Sequence, residues 1–238
     1  MTFHEISAGL KARGRYSLLG HLGTAIGANI LYIICSMLLT MIASGLISGT
    51  GLLSLIMAEV LSFVISLFVG IFEYGLCSIY TNLQYAQPAF VRDIYAGFRE
   101  NPDKIIRIQA VRSLVQILCT LPAVAYSYLV PGQSRGQLAV YYVIYILGEL
   151  LTVVLLLGLD MSFYILLDYP DMSAQQAMKT SFAMMKGNRR LLLYIYCSFL
   201  PLYVLSVLSF GIAGLWVVAY RHSTIAAFYR GLVASRAK

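Results

Sequence analysis

Residues 52–80 have the sequence LLSLIMAEVLSFVISLFVGIFEYGLCSIY, in which Glu59 and Glu73 are the only charged residues. A bilayer core about 30 Å thick is crossed by about 20 apolar residues in a helix. Because the stretch exceeds that length, it predicts a membrane-spanning helix.

The composition extends this prediction to the whole chain. Of 238 residues, 60% are hydrophobic and 11% are charged, with a mean hydropathy of +0.79. Soluble domains have about 25% charged residues, so lipid is predicted to be the main solvent of this chain. The formal net charge of +7 is therefore attributed to orientation in the membrane, and nucleic acid is not an expected partner.

Several other apolar runs are long enough to cross a bilayer. They cover residues 18–45, 105–130, 138–167 and 191–209. The last run continues to Tyr220, and the segment 209–214 is predicted to break it, which gives a sixth span at 212–232 that Arg221 and His222 interrupt. We predict an all-α polytopic transmembrane bundle of about six spans.

The placement of lysine and arginine predicts the orientation of the bundle. The connections at 48–51 and 131–137 contain a single basic residue, Arg135. Six spans place sixteen of the seventeen basic residues, including Arg230, Arg236 and Lys238, at the cytoplasmic side. We therefore expect both termini in the cytoplasm. The basic residues expected at the membrane interface are Lys11, Arg13, Arg15, Arg92, Arg99, Lys186, Arg189 and Arg190.

Three polar segments suggest an internal repeat within a single membrane domain, residues 1–238. Segments 6–15, 91–101 and 175–188 each mix apolar and basic residues at helical spacing, and each precedes two predicted spans. The chain is interpreted as three units, 1–85, 86–170 and 171–238, each an interfacial amphipathic helix followed by a transmembrane hairpin. Alternatively, any hairpin protein alternates basic inner loops with small outer turns.

The same segments suggest the partners. Basic residues beside Phe, Tyr and Met suit helices at the headgroup level that contact anionic lipids of the bilayer. Such segments mostly anchor a fold. A membrane-protein partner at 175–188 is the alternative.

Signatures of soluble enzymes are missing from the sequence. It has no phosphate-binding loop, no nucleophile elbow and no HExxH. Three scattered histidines make a metal site improbable, and the four separate cysteines are interpreted as reduced packing residues. No metal, no cofactor and no catalytic residue is predicted, so the chain is not expected to be an enzyme.

Four acids inside predicted spans are the most informative feature of the sequence. They are Glu59, Glu73, Glu149 and Asp160. A charged group at the centre of a span costs about 2.5–3.5 kcal/mol. The acids either hold helices together or line a polar cavity, where Arg221 and His222 would supply the balancing cation near Glu73 and Asp160.

The C-terminal part of the sequence adds a family resemblance. The run SFAMMKGN at 181–188, FGIAGLW at 210–216, Ala219-Tyr220 and AFY at 227–229 resemble the bacterial membrane family called domain of unknown function 975. Members often carry Pro-Tyr where this chain has Ala219-Tyr220. The resemblance implies a multi-span protein of the bacterial plasma (inner) membrane and transfers no catalytic or binding residue.

Three functions remain open at this point. The leading expectation is a scaffold or accessory protein in membrane or envelope homeostasis. The alternative is a small permease or exporter that uses the intramembrane acids at a cavity between repeats. A membrane-embedded enzyme acting on lipid is third. A polar cavity favours transport, whereas a dry bundle with satisfied acids favours the scaffold.

Overall fold

The computed structural model describes residues 3–46, 51–130 and 134–236, and this part of the chain is almost entirely helical. Its α-helices are α1 Phe3–Leu18, α2 Leu22–Leu46, α3 Leu52–Gln84, α4 Ala96–Arg99, α5 Pro102–Leu129, α6 Arg135–Leu156, α7 Ser162–Asp168, α8 Ala174–Met185, α9 Arg189–Leu208 and α10 Ile212–Arg236. A 3₁₀ helix, Val91–Tyr95, precedes α4. Lys238, residues 48–50 of the first predicted turn and residues 131–133 of the second lie outside the described residues.

Within the described residues, five helices are long and apolar enough to cross a membrane: α2, α3, α5, α6 and α9. The prediction of an all-α fold with several such helices is therefore confirmed. Large apolar side chains of α2, including Ile34, Met37, Leu38 and Met41, are exposed. Exposed apolar surface of this kind is expected where lipid replaces water. The sixth span stays a prediction, because α10 is not among the five.

The predicted fourth span, residues 138–167, is not one continuous helix. Its helix α6 ends at Leu156, residues 157–161 form a turn, and α7 begins after it. The carbonyl oxygen of Gly158 in this turn accepts a hydrogen bond of 2.7 Å from the buried Ser181 hydroxyl of α8. Irregular backbone is tolerated at membrane depth when protein satisfies its polar groups. The break therefore depends on α8.

The chain turns back between α9 and α10, inside the predicted segment 209–214. Both Phe210 (φ 51°) and Gly211 (φ 88°) are in the left-handed region. The N–H of Gly211 donates to the carbonyl oxygen of Ser206 at 2.8 Å, which closes α9. The rings of Phe199 and Tyr220 then meet with centroids 5.1 Å apart. The two helices therefore form a hairpin.

The three predicted interfacial segments differ in structure. Segments 6–15 and 175–188 fall mainly in α1 and α8. Segment 91–101 is not one amphipathic helix, because it consists of the 3₁₀ helix and the single turn α4. Asn101, with φ 51°, and Pro102 end it and start α5. Each segment is followed by a pair of long helices, whereas the amphipathic and repeat interpretations remain predictions.

Helix α1 packs antiparallel to the second half of α10. The Ser223 hydroxyl of α10 donates to the carbonyl oxygen of Gly14 at 2.9 Å. The side-chain amide of Gln84 at the end of α3 donates to the Ser17 hydroxyl at 2.8 Å. These bonds join both ends of the chain to α3, the helix along which the cavities lie.

Candidate functional site

Three cavities that contain charged or hydroxyl side chains lie along α3. The serine cavity, about 390 Å³, is lined by Tyr32, Thr40, Ser62, Ile65, Ser66, Val69, Glu73, Gln109, Arg112, Ser113, Gln116 and Leu156. The central cavity, about 450 Å³, is lined by Glu73, Cys77, Arg112, Thr152, Val153, Leu156, Asp160, Tyr164, Tyr196, Leu200, Tyr203, Arg221, His222 and Ile225. The end cavity, about 490 Å³, is lined by Ser78, Thr81, Asn82, Tyr85, Gln87, Glu100, Leu167 and Asp168.

One face of α3 contributes to all three cavities. Residues spaced three or four apart in a helix share a face. The residues of α3 that line the cavities at this spacing are Ser62, Ser66, Val69, Glu73, Cys77 and Thr81. We call them the α3 stripe. The order along the stripe places the serine cavity first, the central cavity second and the end cavity last.

An ion pair separates the serine cavity from the central cavity. The Arg112 guanidinium of α5 donates to the Glu73 carboxylate of α3 at 3.0 Å, and both residues line both cavities. Arg112 also lies over the ring of Phe163, with 5.2 Å to the centroid. The side chains are only 16% (Arg112) and 27% (Glu73) exposed, so the pair is largely shielded from solvent.

Asp160 lies in the turn between α6 and α7 and lines the central cavity. Its carboxylate accepts a hydrogen bond of 2.8 Å from the Tyr196 hydroxyl of α9. The helix break thus brings an acid from the α6–α7 connection to the same cavity as the pair on α3 and α5.

Arg221 and His222 of α10 also line the central cavity. A nitrogen of the Arg221 guanidinium lies 3.2 Å from Nε2 of His222. The His222 ring stacks on Tyr80 of α3, with centroids 5.4 Å apart. Arg221 is therefore held at the cavity by a neighbour that is itself fixed against α3.

The six predicted site residues are thus only partly brought together. Glu73, Asp160, Arg221 and His222 line the central cavity. Glu59 and Glu149 are half-exposed and line none of the three cavities. The cation that contacts Glu73 is Arg112, whereas the sequence suggested Arg221.

A layer of tyrosines connects the walls of the central and end cavities. Tyr164, which lines the central cavity, stacks on Tyr229 with centroids 5.3 Å apart. The Tyr229 hydroxyl donates to the carboxylate of Asp168 at 2.6 Å, and Asp168 lines the end cavity. The two aromatic rings therefore pack where the two cavities approach each other.

Each cavity also has a buried polar atom without a partner in the described protein. These atoms are Oε1 of Gln109 in the serine cavity, Nε of Arg221 in the central cavity and Oγ1 of Thr81 in the end cavity. Buried polar groups in proteins are nearly always hydrogen-bonded to protein, water or ligand. Such atoms fit cavities that hold water or a polar solute.

The predicted interfacial basic residues lie mostly on the surface. Arg13, Arg15, Arg92, Arg99, Lys186, Arg189 and Arg190 are exposed, whereas Lys11 is half-buried. The Lys11 ammonium donates to the carbonyl oxygen of Ser198 at 3.3 Å. Burial, and then the charge of Arg15, lowers the pKa of Lys11. Lys11 thus belongs to the packing of α1 on α9.

Metal-ligating groups are sparse in the part of the chain that the structure describes. No three His, Cys, Asp or Glu residues come together there in a way that could hold a metal ion. The four cysteines are free, with Cys77 buried beside Glu73 in the wall of the central cavity. The expected lack of a cofactor stays a prediction.

Arg112 was not among the predicted site residues, although it lies inside the predicted span 105–130. A signal was nevertheless present. Glu73 lies eleven residues before the end of α3, and Arg112 lies ten residues after the start of α5. At 1.5 Å per residue these positions are about 16 and 15 Å from adjacent helix ends, so the two side chains had to lie at similar depth.

Comparison with known proteins gives one match. The model of the family described as "Protein of unknown function (DUF975)" matches residues 7–236, which is nearly the whole chain. No curated protein and no solved structure matches the chain.

Proposed function

The chain belongs to the DUF975 family, and we propose that it is a small permease or exporter of the bacterial plasma membrane whose solute moves along the α3 stripe. The observation that carries this proposal is the order of the three cavities along one face of α3. A packed bundle needs no such series of polar spaces, because buried polar groups are costly unless they are satisfied.

The proposal includes a topology of six spans with both termini in the cytoplasm. Helix α10 folds back on α9 and runs beside α3, where Gln84 contacts Ser223 and Arg230. With α10 as the sixth span, the exposed basic residues other than Arg135 lie on the cytoplasmic side and contact anionic lipids. The three units of short helix and hairpin then place α3, α6 and α10 in equivalent positions.

The Glu73–Arg112 pair is the proposed barrier between the two sides. It forms the wall that the serine and central cavities share. Because the two charges neutralise each other, the pair can lie at membrane depth at moderate cost. A rearrangement of this pair would join the two cavities.

The interrupted helix at Asp160 also favours transport. Transporters commonly place their substrate sites where a membrane helix is discontinuous near the middle of the bilayer. The turn at 157–161 supplies such a discontinuity, and its only acid lines the central cavity. This support is an analogy of architecture.

The scaffold function is the competing candidate, and the hydrogen bonds favour it to some degree. Glu73, Asp160 and Asp168 each have a partner within the bundle. Satisfied acids hold helices together without any substrate. The scaffold does not explain the order of the three cavities along one face of α3, and for this reason we prefer the permease.

Native Cys77 provides the test, because it lines the central cavity. In a variant in which Cys35, Cys119 and Cys197 are alanine, a membrane-impermeant methanethiosulfonate reagent is applied to intact cells and to inside-out vesicles. A permease that alternates between two states exposes Cys77 to the reagent from both sides. The matched control keeps Cys119 as the single cysteine, since Cys119 lines none of the three cavities.

A scaffold gives a different result. Its Cys77 is modified from one side at most, at the rate seen for Cys119. That outcome would overturn the permease.

A further inference from the structure

We propose that the central cavity binds a small zwitterion, whose primary ammonium contacts Asp160 and whose carboxylate or phosphate contacts Arg221. This inference rests on the proposed function and names the class of solute that the permease would carry.

The charges of the central cavity are balanced, but they are not all paired with each other. Glu73 and Arg112 form an ion pair. Among the described residues, no basic side chain lies within 4.0 Å of the Asp160 carboxylate, and no carboxylate lies within that distance of Arg221. One negative and one positive group therefore line the same cavity without a direct ion pair, and Arg112 and Arg221 act on Asp160 only at longer range.

Both of these groups keep free hydrogen-bonding capacity. Among the described residues, the Tyr196 hydroxyl is the only hydrogen-bond partner of the Asp160 carboxylate, and a carboxylate can accept about four hydrogen bonds. Arg221 contacts His222, and its buried Nε has no acceptor in the described protein. The cavity thus offers acceptors at Asp160 and donors at Arg221.

A zwitterion satisfies both groups at once, which a simple ion does not. An anion on Arg221 would leave Asp160 uncompensated, and a cation on Asp160 would leave Arg221 uncompensated. Either would add a net charge to a site inside the bilayer, where charge is costly. A zwitterion adds no net charge and brings two charge-assisted hydrogen-bonded contacts.

The volume sets an upper limit on this ligand. A cavity of about 450 Å³ lies in the lower part of the usual range for small-molecule sites, about 300–1,000 Å³. It accommodates an amino acid or phosphoethanolamine. The same chemistry occurs in a free solute and in the headgroup of phosphatidylethanolamine, so the experiment must separate these two sources.

The experiment measures binding to the purified protein in detergent by calorimetry. The probes are β-alanine and O-phosphoethanolamine, with propionate and ethylammonium as matched single-charge controls. We expect at least one zwitterion to bind about tenfold or more tightly than either control. Arg221→Gln and Asp160→Asn should each weaken that binding about tenfold, whereas Glu149→Gln, outside the cavity, should leave it unchanged.

Three results would overturn the inference: propionate binding as tightly as the zwitterions, ethylammonium doing so, or no probe binding at all. The wild-type comparison decides this even if the variants misfold.

Nanodiscs with phosphatidylethanolamine or phosphatidylglycerol then identify the source. If phosphoethanolamine binds more weakly only in phosphatidylethanolamine nanodiscs, the natural ligand is the lipid headgroup. If it binds equally in both nanodiscs, the natural ligand is a free solute. The Cys77 labelling experiment uses no ligand. A failure of the permease proposal can therefore be distinguished from a failure of the zwitterion proposal.

Discussion

At the scale of single residues, the ion pair of Glu73 and Arg112 is the strongest electrostatic interaction described above. The two side chains are 3.0 Å apart and mostly shielded from solvent. Inside such a site a charge without its partner keeps its desolvation cost and loses its Coulomb attraction. The pair therefore behaves as a unit.

We predict a strong coupling between these two positions. Arg112→Met should lower the free energy of unfolding by roughly 2–3 kcal/mol, because Glu73 is left in the bundle without its cation. The double variant Arg112→Met with Glu73→Leu should recover more than half of that loss. Chemical unfolding in detergent, followed by circular dichroism, measures the cycle. Additive losses would mean that the residues do not interact.

Single charges in apolar runs could be found from the sequence, whereas their partners could not. Glu73, Asp160 and Arg221 stand out because few charged residues interrupt the long apolar segments. Arg112 has the same character, but it does not stand out, because Lys104 and Arg107 lie within eight residues of it near the start of the predicted span 105–130. Tyr196 lacks any distinguishing pattern, and only the fold brings its hydroxyl to Asp160.

At the scale of elements, close backbone contact fixes α3 against the segment that follows it. Gly75 of α3 faces the backbone of Ile94 in the 3₁₀ helix, and a Cβ there would overlap with the Ile94 carbonyl. Gly97 of α4 similarly faces the carbonyl of Ile71. Small residues at helix contacts allow backbones to approach closely in membrane proteins.

Gly75→Ala should therefore destabilise the protein, since one of the two backbones must shift. We expect a loss of about 2 kcal/mol or more in the free energy of unfolding, in the range of overpacked cores. The matched control is Gly23→Ala in α2, where nothing lies within 4 Å of the added Cβ. Thermal unfolding of both variants in one detergent makes the comparison, and equal midpoints would contradict this packing.

The helices could be predicted from the apolar runs. The breaks between and within these helices could be predicted only in part. A break within 209–214 was predicted because six spans return the C-terminal basic residues to the cytoplasm, and the structure ends α9 at Leu208 and begins α10 at Ile212. The break at 157–161 was not, because its sequence Leu-Gly-Leu-Asp-Met is mainly apolar and contains no proline. The carbonyl oxygen of Gly158 in that break accepts its hydrogen bond from Ser181, a residue that comes more than 20 positions later.

At the scale of the whole molecule, the topology determines which cavity faces which side. Ser134 precedes α6 and Ser235 lies near the end of α10. In cells expressing single-cysteine variants, we predict that a membrane-impermeant maleimide labels Ser134→Cys without permeabilisation. Ser235→Cys should be labelled only after permeabilisation, because α10 returns the chain to the cytoplasm.

Labelling of Ser235→Cys in intact cells would contradict this topology. The chain would then have five spans, matching the five helices that are long and apolar enough on their own. The proposal that α3 and α10 cross the membrane side by side would also be wrong. Gly49, in the predicted turn at 48–51, would serve as a further outside reporter, although it lies outside the described residues.

In the proposed permease, the α3 stripe is a polar route that the Glu73–Arg112 pair interrupts. Val69 and Thr81 lie on the stripe, on opposite sides of the pair. Val64 lies on the same helix, but it is exposed at the surface of the bundle and lines none of the cavities. These three positions allow water access to be followed along one helix.

The most direct test applies an impermeant cationic thiol reagent to intact cells with single cysteines at these positions. We predict that the reagent modifies Val69→Cys and leaves Val64→Cys and Thr81→Cys unmodified. Adding Glu73→Ala and Arg112→Ala should increase the rate at Thr81→Cys about tenfold or more, whereas a charge exchange, Glu73→Arg with Arg112→Glu, should not. If Thr81→Cys stays unmodified after removal of the pair, the stripe is not a route through the bundle.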